Sequence, residues 1–526
     1  MRKVFERNNG VKYIGHNGKF DVRWLRSKGV NAYLTFDTML AAHLIDENRL
    51  KGLKPLSQIM LDADAYAVGD ELDNAPEMPL RELAIYNGKD TDYTLRLYHI
   101  IREELMKDPR ALRLFLLLMM PASNALVDVE MRGIALDMKR LHERMSMCAG
   151  NMEKLRRFML KYVPPDKRDK FNPGSHPQVQ AWVFTDLGFQ PIKLSPKTGN
   201  PSADKDTLSQ IKDQHPGLEA LSRWRKWQKW LGYLKAWAHY QQDGIVYPTY
   251  GPSATVTGRL NSVRPNIQQV PREDFMRSIF RARPGWRLLL ADYKTIELRV
   301  AAMLADERRM LRMFETGKDI HTYMASQITG KLESEVTKME RYRAKPANFG
   351  FLYGMGAPKF VKYARTDYDV IFTEDEAFSV RKKYFDSFPA LRPWHDRQRR
   401  LVRRYGQVTS PFGRVRHLPD IYSDDEGVQS DAERQAINFP VQTTATDIML
   451  ASLIHLNDML DENECRIIMT VHDSIGFEVR KNLVDEYAPV IKREMEDTRR
   501  LKRMFGYSIS VPVEVDIEID TYWKGA

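Results

Sequence analysis

The chain has 526 residues, 43% of them hydrophobic and 29% charged, with 81 basic against 70 acidic side chains for a formal net charge of +11. That length corresponds to about three or four domains, and the composition excludes collagenous, low-complexity and wholly disordered chains. Only Cys148 and Cys465 occur, which excludes a disulfide-built secreted protein and a cysteine-rich zinc site, while the positive balance suits a polyanionic partner without identifying it.

The amino terminus, Met1 to Asn8, has no apolar signal core. Val11 to Ile14 reads as a short strand, Phe20 to Leu25 opens a helical pattern, and Leu34 to Leu44 and Arg81 to Glu104 read as helices. Asp62 to Pro79, acidic and holding two prolines, reads as a loop. The best apolar run, Leu114 to Met120, is stopped by Pro121, so no membrane span is expected. The pattern is mainly helical through Met152, breaks at Pro164-Pro165 and resumes at Gln178 to Leu187. After Gly244 come short β-prone pieces, Ile245 to Tyr250 and Leu288 to Leu290, then long helical stretches from Glu297 to Arg403. Strand patterns return at Ile467 to Val471, Ser474 to Val479 and Val511 to Ile519. One sheet is therefore expected from distant segments with a helical insertion between them.

Two of these strands end on acids. Leu288 to Tyr293 is an apolar run that closes with Asp292, and Ile467 to Ile475 turns at Asp473. A lone acid there is ordinarily a turn residue, but two brought together on adjacent strands make a hard oxygen site for Mg²⁺. Between them, Arg341, Lys345, Phe349 and Tyr353 recur every fourth residue and would share one helical face: two cations for a triphosphate, then two aromatics for a sugar and base. Pro346 interrupts this stretch, so the helix either kinks there or begins there. The segment Arg223 to Trp237 alternates tryptophans with basic residues, which reads as a packed tryptophan face with Arg225 and Lys229 on the opposite side.

Asp292 to Arg299, Arg341 to Gly354 and Val471-His472-Asp473 resemble, in order, the three polymerase motifs of family A DNA polymerases, the group of bacterial polymerase I and many phage replicases. Thr257 to Leu260, Pro265 to Gln268, Asp319 to His321, Glu433 to Asn438 and Gln442 extend the resemblance, which runs from His16 to Trp523. It implies an α/β multidomain right hand of palm, fingers and thumb preceded by a partial ribonuclease H-like 3′-to-5′ exonuclease domain. The divisions expected are 1–110 for the exonuclease-like domain, 111–245 for thumb and connecting helices, 246–300 for the first part of the palm, 301–430 for the fingers and 431–526 for the rest of the palm.

By the same resemblance Asp292 and Asp473 would be catalytic and bind two Mg²⁺ ions. Arg341, Lys345 and His321 would hold the dNTP phosphates, Phe349 would pack on the sugar, Tyr353 would help place the template base, and Glu297 would obstruct a ribose 2′-hydroxyl. Arg225 and Lys229 resemble contacts to the DNA backbone, and Arg259, Asn266, Gln268, Arg434, Asn438, Gln442 and His472 other primer-template contacts, several of them in the minor groove. Ser474 stands where the family's third motif usually carries a second acid, and Lys294 and Thr295 replace a common Ser-Gln. In the amino-terminal part, His16 to Asp21 and Tyr86 to Asp90 match the second and third exonuclease motifs, leaving Asp21, Tyr86 and Asp90 as a remnant. The first motif, Asp-x-Glu, has no counterpart, since residues 1 to 20 contain only Glu6.

The expected activity is therefore DNA-templated DNA synthesis on primer-template DNA with dNTPs, in the cytoplasm of a bacterial or phage-infected cell. Proofreading would be absent or dependent on a separate chain completing the exonuclease domain, and a processivity factor is a further conceivable partner. A single-subunit RNA polymerase shares the two aspartates and a Lys/Tyr helix, but Glu297 and the Asn438/Gln442 pair favour DNA. A non-catalytic DNA-binding accessory would have no use for intact Asp292, Asp473, Arg341 and Lys345.

Overall fold

The computed structural model describes residues 10–64, 78–195 and 198–524. Its amino-terminal part contains β1 (Ile14–Gly15), α1 (Lys19–Ser27), β2 (Phe36–Asp37), α2 (Thr38–Ile45), α3 (Leu53–Leu61) and α4 (Leu80–Met106). β1 and β2 pair in parallel, Ile14 against Phe36, and form a two-stranded sheet. Asp37 explains the local path. Its carboxylate accepts from the backbone N–H groups of Asn17, Gly18, Met39 and Leu40, capping α2 and tying the turn before α1 to it. The expected strand at Val11 to Ile14 is thus shifted to Ile14–Gly15, and the expected helix from Leu34 opens as strand β2. Most of the acidic loop, 65–77, and Glu6 lie outside the described residues.

Pro121 does not break the next helix. Pro109–Arg132 (α5) runs for 24 residues with a window of mean hydropathy 1.5, long and apolar enough to cross a membrane, which corrects the expectation that no such segment exists. A π-helical turn at Phe115–Met119 precedes Pro121 and accommodates its ring and missing N–H. The window is 67% buried, and Leu114, Phe115, Leu118 and Leu126 lie fully inside the protein core.

β3 (Ile134–Leu136) follows, and it is joined by β4 (Gln241–Gln242), β5 (Ile245–Val246) and β8 (Phe280–Arg281) in a sheet of order β4-β5-β3-β8. β6 (Thr249–Gly251) and β7 (Asn261–Val263) pair separately. The long helices α6 (Met138–Met159) and α7 (Pro216–Tyr240) pack along each other. On α7, Trp224 is buried in a satellite core with Trp182, while Trp230 and Trp237 join the main core.

The main sheet has the order β12-β13-β9-β14, with β9 (Trp286–Tyr293), β12 (Cys465–Val471), β13 (Ser474–Arg480) and β14 (Val515–Asp520) all antiparallel. Leu288, Leu289, Ala291, Ile467, Ile468, Phe477 and Val479 are essentially without solvent contact, as continuous apolar runs demand. Each such side chain contributes about 1.5–3 kcal/mol of burial free energy where it is as large as leucine. The alternating stretch from Val511 forms a strand only from Val515, because the Pro512 carbonyl is taken by the Arg299 guanidinium at 2.6 Å and the Glu514 carbonyl by the Lys294 N–H at 2.9 Å.

Between β9 and β12 lies the helical insertion: α8 (Ile296–Ala305), α9 (Ile320–Thr329), α10 (Lys338–Gly350), α11 (Leu391–Tyr405), a hairpin of β10 (Gln407–Thr409) and β11 (Val415–His417), and the 34-residue α12 (Glu426–Met459). Thr337 and Glu340 form a capping box that starts α10 at Lys338, so Pro346 sits inside the helix and the possibility of a start at Pro346 is not realised. α12 carries the core, with every residue from Thr443 to Leu453 buried.

Candidate active site

The antiparallel registers set the two acids. Asp292 on β9 stands opposite Ser474 of β13 on one side and Asp516 of β14 on the other, so these three side chains share one face of the sheet. Asp473 occupies the two-residue turn between β12 and β13, and its carbonyl accepts from the Tyr293 N–H at 3.2 Å. The neighbouring His472 adopts a positive φ of 53°, a conformation that costs a non-glycine residue about 1–3 kcal/mol and persists only where surroundings enforce it. Enclosure in the cleft, followed by the like charge of Asp516, raises the Asp292 pKa. Burial and then Glu297 and Asp292 push Asp473 well above the ordinary carboxylate range, against the opposing field of Arg259.

Neither Asp292 nor Asp473 makes an ion pair among the described residues. Two repelling carboxylates with hard oxygen donors and no direct ion-pair partner among the described residues form a donor set that suits a divalent hard cation. Ser474 turns its hydroxyl away from that role and donates to the Val471 carbonyl at 2.8 Å. The described residues contain one other grouping of possible metal donors, Asp46, Glu47 and His417. There Glu47 already accepts from Arg416, at 2.7 Å, and from His417 through its ring and backbone, which makes an ion-pair cluster.

α10 presents Arg341, Lys345 and Phe349 along one side, while Tyr353 lies in the turn beyond the helix end. Arg341 is held by Asp319, with nitrogen–oxygen distances of 2.8 and 2.6 Å, and Asp319 in turn caps α9. Lys345 is half-buried; desolvation, then the cations Arg341 and Arg272, lower its pKa. The Tyr353 hydroxyl donates to Glu297, which is also paired with Arg259, so three predicted residues meet at one carboxylate. His321 is enclosed. It is 5% exposed, its Nδ1 lies 2.8 Å from the Asn348 amide, and burial lowers its pKa to about 4. It is therefore a neutral ring packed 5.9 Å from Phe349 and adds no positive charge for phosphates in this arrangement.

Of the residues expected on DNA, Arg434, Asn438 and Gln442 lie four apart on α12 and remain half-exposed beside its buried core face. Arg434 is engaged by Asp431 and Ser430, and Asn438 Oδ1 is buried without a partner. His472 and Lys229 are exposed. Arg225 is not available: its guanidinium donates to the Ala203 carbonyl at 2.5 Å and is largely desolvated. Asn266 spends its Oδ1 on the Ser262 hydroxyl and the Gln268 N–H, at 3.2 and 3.0 Å. Gln268 is 6% exposed and turned inward, with Gln269 the exposed member of the pair.

In the amino-terminal part, Asp90 lies close enough to His16 to influence its charge, and Tyr86, one turn earlier on α4, sits 4.8 Å beneath the Lys54 ammonium. Asp21 is exposed in the first turn of α1, its pKa raised by desolvation. No described contact joins Asp21 to Asp90.

Sequence reasoning missed Arg272. This exposed residue acts electrostatically on Asp292, Lys345 and His472 at once, which places a cation between the strand-end acids and the α10 face. Its position in a Pro-Arg-Glu-Asp loop gives no periodicity by which to find it.

Residues 138–525 match the model of DNA polymerase family A, and residues 1–106 that of a 3′-5′ exonuclease. A thermostable DNA polymerase I of Thermus filiformis is 34% identical over 77% of this chain and 47% of its own length. A DNA polymerase of Bacillus phage SP01 is 30% identical over 99% of this chain and 63% of its own, and DNA polymerase I of Aquifex aeolicus 29% identical over 97% and 87%. The chain thus spans about half to two-thirds of the length of the first curated relatives it matches. Among solved structures, the POL domain of Pol1 from M. smegmatis, in complex with DNA primer-template and dNTP, superposes with a TM-score of 0.86 at 26% identity, covering 100% of this chain and 88% of that one.

Proposed function

The chain belongs to DNA polymerase family A, and from that premise we propose that it copies a DNA template by adding dNTPs to a primer 3′-hydroxyl. The observation that carries the reading is the pair Asp292 and Asp473, without a direct ion-pair partner among the described residues and brought together by the β9–β13 register, with the Arg341/Lys345 face nearby. Asp292 and Asp473 would hold two Mg²⁺ ions, which when bound activate the 3′-hydroxyl and stabilise charge on the leaving pyrophosphate. Arg341 and Lys345 bind the triphosphate, and Arg272 adds a third cation beside them. Phe349 supports the sugar. Glu297, fixed between Arg259 and Tyr353, stands where a ribose 2′-hydroxyl would need room. Arg259, Arg434, Asn438 and Gln442 follow the minor groove, whose acceptors are shared by all base pairs, and so test pairing without reading sequence, and His472 adds a further contact to the DNA.

In this reading residues 111–245 serve as thumb and connection, 246–300 and 431–526 as palm, and 301–430 as fingers, in the cytoplasm of a bacterial or phage-infected cell. Within the sequence given, the exonuclease-like part supplies Asp21 and Asp90 at the second and third motif positions, and a two-metal nuclease site needs further carboxylates. Proofreading would then need an Asp-x-Glu strand from a longer amino terminus or from a separate polypeptide. The test is primer extension with dNTPs and Mg²⁺. Extension abolished by Asp292→Asn and by Asp473→Asn, with DNA binding retained, supports the reading, and extension within tenfold of the parent overturns it.

A further inference from the structure

The turn carrying Asp473 is held from behind by an amide that faces no solvent. Gln268 Oε1 accepts from the His472 N–H at 2.8 Å, and Gln268 Nε2 donates to the Thr470 carbonyl at 3.1 Å. One side chain thus bridges the backbone on both sides of Val471 and grips the residue with the positive φ. The grip is itself fixed. Gln268 N–H donates to Ser262 Oγ and Asn266 Oδ1, at 3.1 and 3.0 Å, and the buried Ser262 hydroxyl also accepts from the Ile267 N–H at 2.8 Å. A second support comes from Tyr250, fully buried, whose hydroxyl accepts from the Thr470 N–H at 3.2 Å.

We infer that Gln268 is a positioning residue for the polymerase reaction, clamping the β12–β13 turn so that His472 stays in its left-handed conformation and Asp473 stays aimed at Asp292. The inference rests on the assignment of Asp473 as a catalytic carboxylate, and it departs from a role for Gln268 on DNA. Two facts favour it over simple packing. Both ends of the amide are spent on backbone groups of the catalytic turn, and the bonded N–H belongs to the one residue of that turn whose backbone needs outside support. A hairpin with a positive φ at its first loop position ordinarily takes glycine there; here histidine takes it and the Gln268 carbonyl meets its N–H.

The mechanism predicts coupling between positions 268 and 472. In Gln268→Ala, the single-turnover rate at saturating dNTP should fall by about 30-fold or more, with the dissociation constants for primer-template and dNTP within about threefold of the parent. In a His472→Gly background, where glycine adopts the positive φ unaided, the same substitution should cost no more than about threefold. Gln268→Glu, which keeps the acceptor for His472 and loses the donor to Thr470, should fall between, and it replaces Gln268→Ala if melting shows that the alanine variant is not folded. An unchanged rate in Gln268→Ala or Gln268→Glu overturns the inference, as does an equal loss in both backgrounds. A rise in the primer-template dissociation constant that accounts for the whole defect returns Gln268 to the DNA interface and also overturns it. Asp473→Asn is measured alongside: if it retains extension, the assignment beneath the inference fails, whereas an inactive Asp473→Asn with a fast Gln268→Ala fails the clamp alone.

Discussion

Two parts of this chain carry acids at family motif positions, and they are built to different standards. In the main sheet, Asp292 and Asp473 are set by a ladder that runs unbroken from Trp286 to Asp292, by the Tyr293 N–H and by Gln268, and Glu297 is pinned from two sides. In the amino-terminal part, Asp21 is exposed in the first turn of α1 and Asp90 is half-buried on α4, beside a sheet that among the described residues has two strands with two paired positions. A motif supplies residue types, but a site needs the backbone on which they converge. The cleft has that backbone around both of its acids.

The most severe way to test this contrast is to remove one acid from each part. Asp473→Asn or Asp292→Asn should reduce extension at least about 1,000-fold, ~4 kcal/mol in the transition state, with the DNA dissociation constant unchanged in a filter or anisotropy assay. Asp90→Ala should leave extension unchanged, and 3′-end digestion of a mismatched primer should be negligible before and after the change. Robust digestion by the parent chain, lost in Asp90→Ala, would erase the distinction between the two parts.

Smaller effects sharpen it. Lys345→Ala should raise the dNTP KM by about 10- to 100-fold while leaving primer-template affinity alone, because a charge-assisted contact worth ~1.5–3 kcal/mol is made to the nucleotide only. Phe349→Tyr offers a hydroxyl where a dideoxynucleotide lacks its own, so the preference for dNTP over ddNTP in a competition gel should narrow by about tenfold, ~1.4 kcal/mol. The least effect belongs to the junction of the two parts, where the Glu47 carboxylate raises the His417 pKa above its ordinary value. A raised folded-state pKa gives stability that is complete below the ordinary histidine value and disappears as pH rises through the shifted one. With the His417 side chain about one-third exposed, the contribution is below about 1 kcal/mol. The melting difference between the parent and Glu47→Gln should therefore be larger at pH 5.5 than at pH 8.5.

How legible was this in the sequence? The strand-end acids were readable because a buried apolar run that stops at aspartate is a local pattern, and the four-residue spacing from Arg341 to Phe349 survives Pro346 because the Thr337–Glu340 box starts the helix early enough. The inward turn of Gln268 has a cause that no local pattern supplies. Gln268 and Gln269 are identical in type, and only the hydrogen bonds of Ser262 and Asn266 decide which turns inward. The bond of Arg225 is equally non-local, since the Ala203 carbonyl it donates to is 22 residues distant. The helix through Pro121 escaped because a π-helical turn depends on surrounding packing more than on composition.

Lys19 carries a last consequence. It is 6% exposed, it is bonded to Glu130 and to the Tyr250 carbonyl, and Glu130 also accepts from the Tyr250 N–H at 2.6 Å. Removing one partner of such a buried pair typically costs about 3–5 kcal/mol, and here the cost falls on the strand that brings Tyr250 to the back of the catalytic hairpin. The amino-terminal part is thus not a detachable module. Trimming it to make a shorter engineered enzyme would strand a bare carboxylate in the interior of the remainder.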